Sequence, residues 1–381
     1  MIFQRKSSEL LIFCIAAAAI TALSAQTQPP SVREESNIYG RPGWVIENGK
    51  IRVALLRGGG HIAEVRLVSA NPRLSINPMY IPAPRPGSGQ EGDGYMGHLV
   101  CFPYFGPASP EERAQGLRGH GEAGSVEWQQ TRPPQIDAGG VSFFYGADLP
   151  KTQYKIERRV TLKAGEATVR VEEWVENLAP YDRPYNRDQH ATFGAPFVTP
   201  GRNVLDMSGT RGITDAARTA AGKWKASQLF QWPDAPRDDD IALSLGDFHA
   251  IPGGQVYTPV LTDRSKPQSW FTIYNADYPL LVGYVFPTGD HPWIVDWQNQ
   301  PRADATAGTA RGIEFGTSPF DEGLRKSVER AQLLGVPTYK FIGARERLST
   351  TFTIFLQEVA VGFRGVADVR TENGVVTIVE K

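Results

Sequence analysis

Three places in this 381-residue chain set a proton-handling side chain among glycines or apolar neighbours. His120 stands in Arg118-Gly119-His120-Gly121, after an apolar run over 99–105 that turns at Pro103 and Gly106. Asn186-Arg187-Asp188-Gln189-His190 enters the apolar stretch 193–198. Arg311-Gly312-Ile313-Glu314-Phe315-Gly316 holds a carboxylate between apolar residues and two glycines. Glycine allows backbone conformations closed to other residues and lets a ligand come close. A glutamate and a histidine suffice for general acid–base chemistry, because one accepts a proton while the other donates one. Tyr104, Trp128, Phe193, Trp293 and Trp297 offer flat apolar faces. Sugars stack on such faces and hydrogen-bond through their edges to His, Asn, Asp, Glu and Arg.

Each of these residues also has a plainer reading. His120 suits a turn residue satisfied by backbone, and His190 a buried, hydrogen-bonded histidine at the head of an apolar run. Glu314 suits the outward face of an edge strand, and the tryptophans suit a core.

Other chemistries find little support. The six histidines include no His-x-x-x-His or His-x-His pair and no cysteine cluster joins them, so no metal site is expected. Gly58-Gly59-Gly60 leads into a strand, the wrong context for a phosphate loop, and no Gly-x-Ser-x-Gly elbow occurs. With 40 basic and 41 acidic residues the chain is near neutral, which gives no reason to expect nucleic acid as a partner.

The chain opens with Arg5 and Lys6, an apolar run over 10–23, and then Ser24-Ala25-Gln26. A basic start, a short apolar core and small residues describe a secretory signal peptide over 1–25. The run is shorter than the roughly 20 residues of a membrane span. The expected location is therefore periplasmic or secreted. Removing the leader takes Cys14 and leaves Cys101 alone, so stability must come from a core rather than a disulfide.

The elements that must position these residues read as strands. Residues 26–43 read as a flexible leader. From 44 to 381 no composition break divides the chain, so a single domain is expected. Trp44 to Leu55 reads as strand, Asn-Gly turn, strand. Residues 62–67, 141–145, 154–163 and 169–175 alternate as half-buried strands. Arg158 and Glu173 are charged misfits on the inward faces of that last pair; they either pair across the strands or point into a cavity. Further strands are read at 256–260, 270–274, 280–286, 293–297 and 350–359, and a closing hairpin at 369–379 turns on Glu372-Asn373-Gly374. Helices are predicted over 214–231 and 319–334. Many short strands, frequent turn residues and little helix indicate an all-β sandwich or barrel.

Taken together, these segments resemble the aldose 1-epimerase (galactose mutarotase-like) family, from Ile51 to about Phe320 and in matching order. Gly59-Gly60-His61-Ile62 resembles the family's opening hairpin. Residues 100–106, then Gly119-His120-Gly121 and Trp128, resemble its proline–aromatic–glycine segment and His-Gly turn. Val175-Glu176-Asn177 with His190-Ala191-Thr192-Phe193-Gly194, and Gly312-Ile313-Glu314, resemble two later segments. The resemblance implies a mainly antiparallel β-supersandwich with few short helices. It also implies a mutarotase that interconverts sugar anomers without a cofactor. His190 matches the general acid at the ring oxygen, and Glu314 the base that takes the anomeric proton. His120 matches a second, sugar-binding histidine. Arg118, Tyr104, His61 and Trp297 complete the candidate sugar-binding set.

Two positions depart from the family pattern. Gln189 stands where the family has asparagine, and Gly316 where many members have glutamine. No residue matches the family's substrate-binding aspartate; Asp247 and Asp290 are the candidates. These departures keep a second reading open, a carbohydrate-binding protein of the same fold that is non-catalytic or catalyses another reaction.

Overall fold

The computed structural model describes residues 29–82, 95–301, 308–372 and 374–381. The expected signal peptide and Asn373 of the closing turn lie outside the described residues. Among those residues the protein is built from two large sheets. In the thirteen-stranded sheet, His98–Cys101, Asp188–Gly194, Ala310–Gly316 and Trp293–Asn299 lie side by side near the middle. The eight-stranded sheet runs from Asn203–Met207 through Arg347–Glu358, Thr168–Asn177 and Tyr154–Lys163 to Gln129–Asp137. Every pairing within both sheets is antiparallel.

Local sequence explains these strands well. Arg41–Glu47 and Ile51–Leu56 pair around Asn48-Gly49. Gly49 takes φ +81° there, while Asn48 Oδ1 accepts from the backbone N–H of Lys50 at 2.9 Å and of Ile51 at 2.8 Å. Alternation then sends one face of each sheet into a shared apolar core. Val53, Ile62, Phe193 and Phe315 come from one sheet, and Val160, Val171, Phe271 and Phe352 from the other.

Arg158 and Glu173 settle as cross-strand partners in that core. Arg158 Nε donates to Glu173 Oε2 at 2.8 Å, with both side chains fully buried. Gln189 reaches across from the larger sheet. Its Oε1 accepts from Arg158 Nη2 at 2.9 Å, and its Nε2 donates to Glu173 Oε1 at 2.9 Å. His98 Nε2 lies 2.9 Å from the same Oε1. The residue before His190 therefore ties the two sheets together and faces away from the imidazole.

Three expectations need correction. The 26–43 leader contains the Ser31–Ile38 strand, which pairs with Arg41–Glu47 at the sheet edge. Its charges hid it from alternation. Arg33 pairs with Glu47 at 2.8 Å and Glu34 with Arg57 at 3.0 Å, as suits an edge strand. Residues 214–231 are turns ending in the short strand Leu229–Gln231, not a helix. Ala220, Ala221 and Ser227 take positive φ there, and burial of Ala220 and Trp224 outweighs alanine's helix propensity. The helix expected over 319–334 is only Leu324–Arg330, bracketed by Gly323 at φ +83° and Ala331 at φ +61°. A short helix, Pro110–Ala114, opened by a Ser109–Glu112 capping box, follows Gly106.

Candidate active site

On Asp188–Gly194, Gln189, Ala191 and Phe193 point into the core, so Asp188, His190 and Thr192 point to the opposite face. Ala310–Gly316 runs alongside, and its register sets Glu314 directly opposite His190. His190 Nε2 and Glu314 Oε1 are 3.1 Å apart, and both side chains are buried. Thr192 Oγ1 lies 2.9 Å from His190 Nδ1 and fixes the other side of the ring. Glu314 Oε2 has no hydrogen-bond partner among the described residues.

His120 arrives from the loop. It takes φ +65°, followed by Gly121 at φ +83°, and its N–H donates to Gly106 O at 2.7 Å. A Cβ on Gly121 would lie 2.2 Å from Phe102 O, so this turn admits only glycine. The His120 and His190 rings are 6.0 Å apart and nearly perpendicular. Trp297 lies 5.8 Å from the His190 ring. Cys101 Sγ is 3.4 Å from His120 Nδ1.

Burial sets the proton affinities. It pushes His190 down to about 3, with His120 adding to the effect. It pushes His120 down to about 4, partly opposed by Asp321. Glu314 is raised well above the usual carboxyl range, first by burial and then by Asp321 and Asp188. Both directions favour the uncharged forms, carboxylic acid and neutral imidazole.

Of the residues singled out by sequence, His190, Glu314, His120 and Trp297 converge. Tyr104 and Arg118 support the turn: the buried Tyr104 packs with Ala108 and Leu117, and its hydroxyl donates to Arg118 O at 2.6 Å. His61 is buried just ahead of the Ile62–Leu67 strand, with neither ring nitrogen hydrogen-bonded among the described residues. Burial, then Arg41 and Arg158, lowers it to about 3. Asp247 is exposed, and Asp290 accepts from the Thr350 hydroxyl at 2.7 Å beside Lys340. Neither joins His190 and Glu314.

Sequence reading passed over three groups here. Tyr95 stacks on His190 at 5.1 Å and 16°, and also meets His120 at 5.4 Å and Trp297 at 6.4 Å. It ends a stretch of proline and glycine that carries no periodicity to reveal it. Asp188 is buried on the His190 face with Oδ2 unpartnered among the described residues, and its carboxyl is raised well above the usual range by burial. The two-residue step to His190 was the signal for it. The third group is the Arg218–Asp321 ion pair, at 2.7 Å.

No protein-family model matches the chain, and no curated protein matches its sequence. Solved structures do match. A galactose mutarotase-like protein from Clostridium acetobutylicum superposes with TM-score 0.55 at 14% identity, over 87% of this chain and 99% of its own. A galactose mutarotase-like protein from Lactobacillus casei gives TM-score 0.52 at 13% identity, over 82% of this chain and 99% of its own. A galactose mutarotase related enzyme from Lactobacillus acidophilus gives 0.53 at 13%, over 83% and 99%. With nearly the whole of each neighbour covered, this chain has the antiparallel β-sandwich fold of the galactose mutarotase-like proteins.

Proposed function

We propose that the protein is an aldose 1-epimerase-like enzyme in which Glu314 and His190 exchange protons with the anomeric centre of a sugar. The strand register that sets a buried imidazole and a buried carboxyl on one face, on two adjacent strands, carries this reading. One proton on the pair gives two states of equal net charge, carboxylic acid with imidazole or carboxylate with imidazolium. In the second state the carboxylate takes the proton of the anomeric hydroxyl while the imidazolium gives one to the ring oxygen. The C1–ring-oxygen bond breaks, an aldehyde forms, and the pair ends as carboxylic acid and imidazole. Rotation about C1–C2 and the reverse transfers close the ring as the other anomer. No outside proton enters at any step, so the net charge of the site is the same throughout the cycle. Trp297 offers a face for the sugar and His120 a second imidazole beside the ring oxygen. The sugar is the small-molecule partner of this reading, and a periplasmic or secreted location, resting on the leader 1–25, belongs to it.

One observation favours the second reading, a carbohydrate-binding protein without this activity. Here the imidazole and carboxyl touch, and Tyr95 covers the imidazole. A sugar ring must part the first two and displace the third. Anomer exchange measured by NMR on freshly dissolved aldose separates the readings. Exchange well above the spontaneous rate supports the enzyme; calorimetric sugar binding without exchange supports the second.

A further inference from the structure

The segment that interrupts the sequence pattern, residues 214–231, brings a charge to the site. Asp215 Oδ1 accepts from the backbone N–H of Ala217 at 2.9 Å and of Arg218 at 2.8 Å, which shapes a tight turn. Arg218 then lies over the Tyr257 ring, its Cζ 3.9 Å from the centroid. Its guanidinium grips Asp321 with two hydrogen bonds, Nη1 to Oδ2 at 2.9 Å and Nη2 to Oδ1 at 2.7 Å, and reaches Asp215 Oδ2 at 3.3 Å.

This pair belongs to the same wall as the candidate acid and base. Tyr257 shares one apolar cluster with Leu99, Cys101, Phe105 and Val295, against which Tyr95, Trp297 and Phe320 pack. Tyr257 and Phe320 stack at 6.3 Å. Asp321 sits on the turn that carries His120. A Cβ on Gly106 would lie 2.2 Å from the Asp321 carbonyl carbon, and Gly106 O is the acceptor for the His120 N–H. The Arg218 and Asp321 side chains keep 26% and 28% of their exposure, unlike the sealed His190 and Glu314. Each Asp321 oxygen takes one of the described hydrogen bonds and has a second lone pair to offer.

Resting on the reading of this site as a sugar site, we propose that the Arg218–Asp321 pair is its specificity-determining wall and binds a vicinal diol among the non-reacting hydroxyls of an aldose. One hydroxyl donates to Asp321 while its neighbour accepts from Arg218. A ligand lacking one of these hydroxyls leaves a charged group short of a partner, which discriminates far more sharply than a lost apolar contact. The wall lies outside the strands whose register aligns Glu314 with His190, so which aldose is taken can differ while that alignment stays the same.

The test measures both anomer exchange and calorimetric affinity for D-galactose, D-glucose and their monodeoxy analogues. It uses the wild type, Asp321→Asn and Arg218→Lys, with melting curves to verify folding. We expect the wild type to prefer a parent sugar over one deoxy analogue by at least tenfold. Both variants should raise KM or Kd for the parent at least tenfold and lose that preference. A purely structural role would weaken all ligands alike and keep the preference. Wild-type exchange with the preference intact in both variants overturns this proposal and leaves the epimerase reading standing. Binding without exchange overturns the epimerase reading, and the affinities then decide the wall. Neither binding nor exchange overturns both.

Discussion

Gly316 stands directly across from Asp188, one step along the same face from the Glu314–His190 pair. A Cβ placed on Gly316 would lie 1.9 Å from Asp188 Oδ1 and 2.7 Å from Asp188 Cα. The glycine is the room that the buried Asp188 carboxyl occupies. A residue that departs from the family pattern is thus explained by its neighbour.

Gly316→Ala should therefore destabilise the protein by ~1–3 kcal/mol through overpacking, read as a lower urea midpoint. Adding Asp188→Ala should recover part of that loss. An unchanged midpoint in the single variant would show that the strands part without cost.

Loss of either proton-transfer group should cost ~10²–10⁴-fold in anomer exchange. Glu314→Gln removes the base while keeping shape, and His190→Asn removes the acid. Each should slow exchange by that order in polarimetry of fresh aldose. Near wild-type rates in both would end the assignment.

The buried carboxyls and imidazoles give stability opposite pH dependences. Glu314 holds its proton more tightly folded than unfolded, so its contribution is full below pH 4.5 and is withdrawn as pH rises toward the raised value. Glu314→Gln should raise Tm at pH 8, and the gain should shrink to nothing as pH falls to 4.5. His190 is lowered from 6.5 to about 3, so its contribution is full above pH 6.5 and is lost as pH falls toward 3. His190→Gln should flatten part of the acid loss in that window. Melting curves across pH 3–8 check both.

Glu173→Gln leaves Arg158 charged and buried beside a neutral amide, a change that should cost ~3–5 kcal/mol in urea unfolding. Replacing both, Arg158→Met with Glu173→Leu, should recover most of that loss. Exchange activity should fall in the single variant beyond what unfolding explains, because one amide oxygen replaces the two carboxylate oxygens that accept from Arg158 and from Gln189, the neighbour of His190.

Alternation along the chain established most of the β architecture. The Asn48-Gly49 hairpin, the 154–163 and 168–177 pair and the strands around 256–297 all read correctly, because period-two burial and turn chemistry are local properties. The strand at 31–38 escaped because an edge strand faces solvent and shows no apolar alternation. The 214–231 segment misled because alanine propensity is weak against the burial of Trp224. His120 was legible because glycines on both sides mark a special backbone, and His190 and Glu314 because their surroundings resembled a family.

What the sequence by itself determined is a mainly β chain, many of its alternating strands, and the identity of a histidine and a glutamate able to move protons. What only the tertiary structure decided is that His190 and Glu314 are opposite each other in register, that Tyr95 stacks on His190, and that Asp188 and Asp321 act on the Glu314 carboxyl. The physical reason is that register, burial and charge proximity arise between strands far apart in the chain. Local propensity carries no record of which distant strand will be the neighbour.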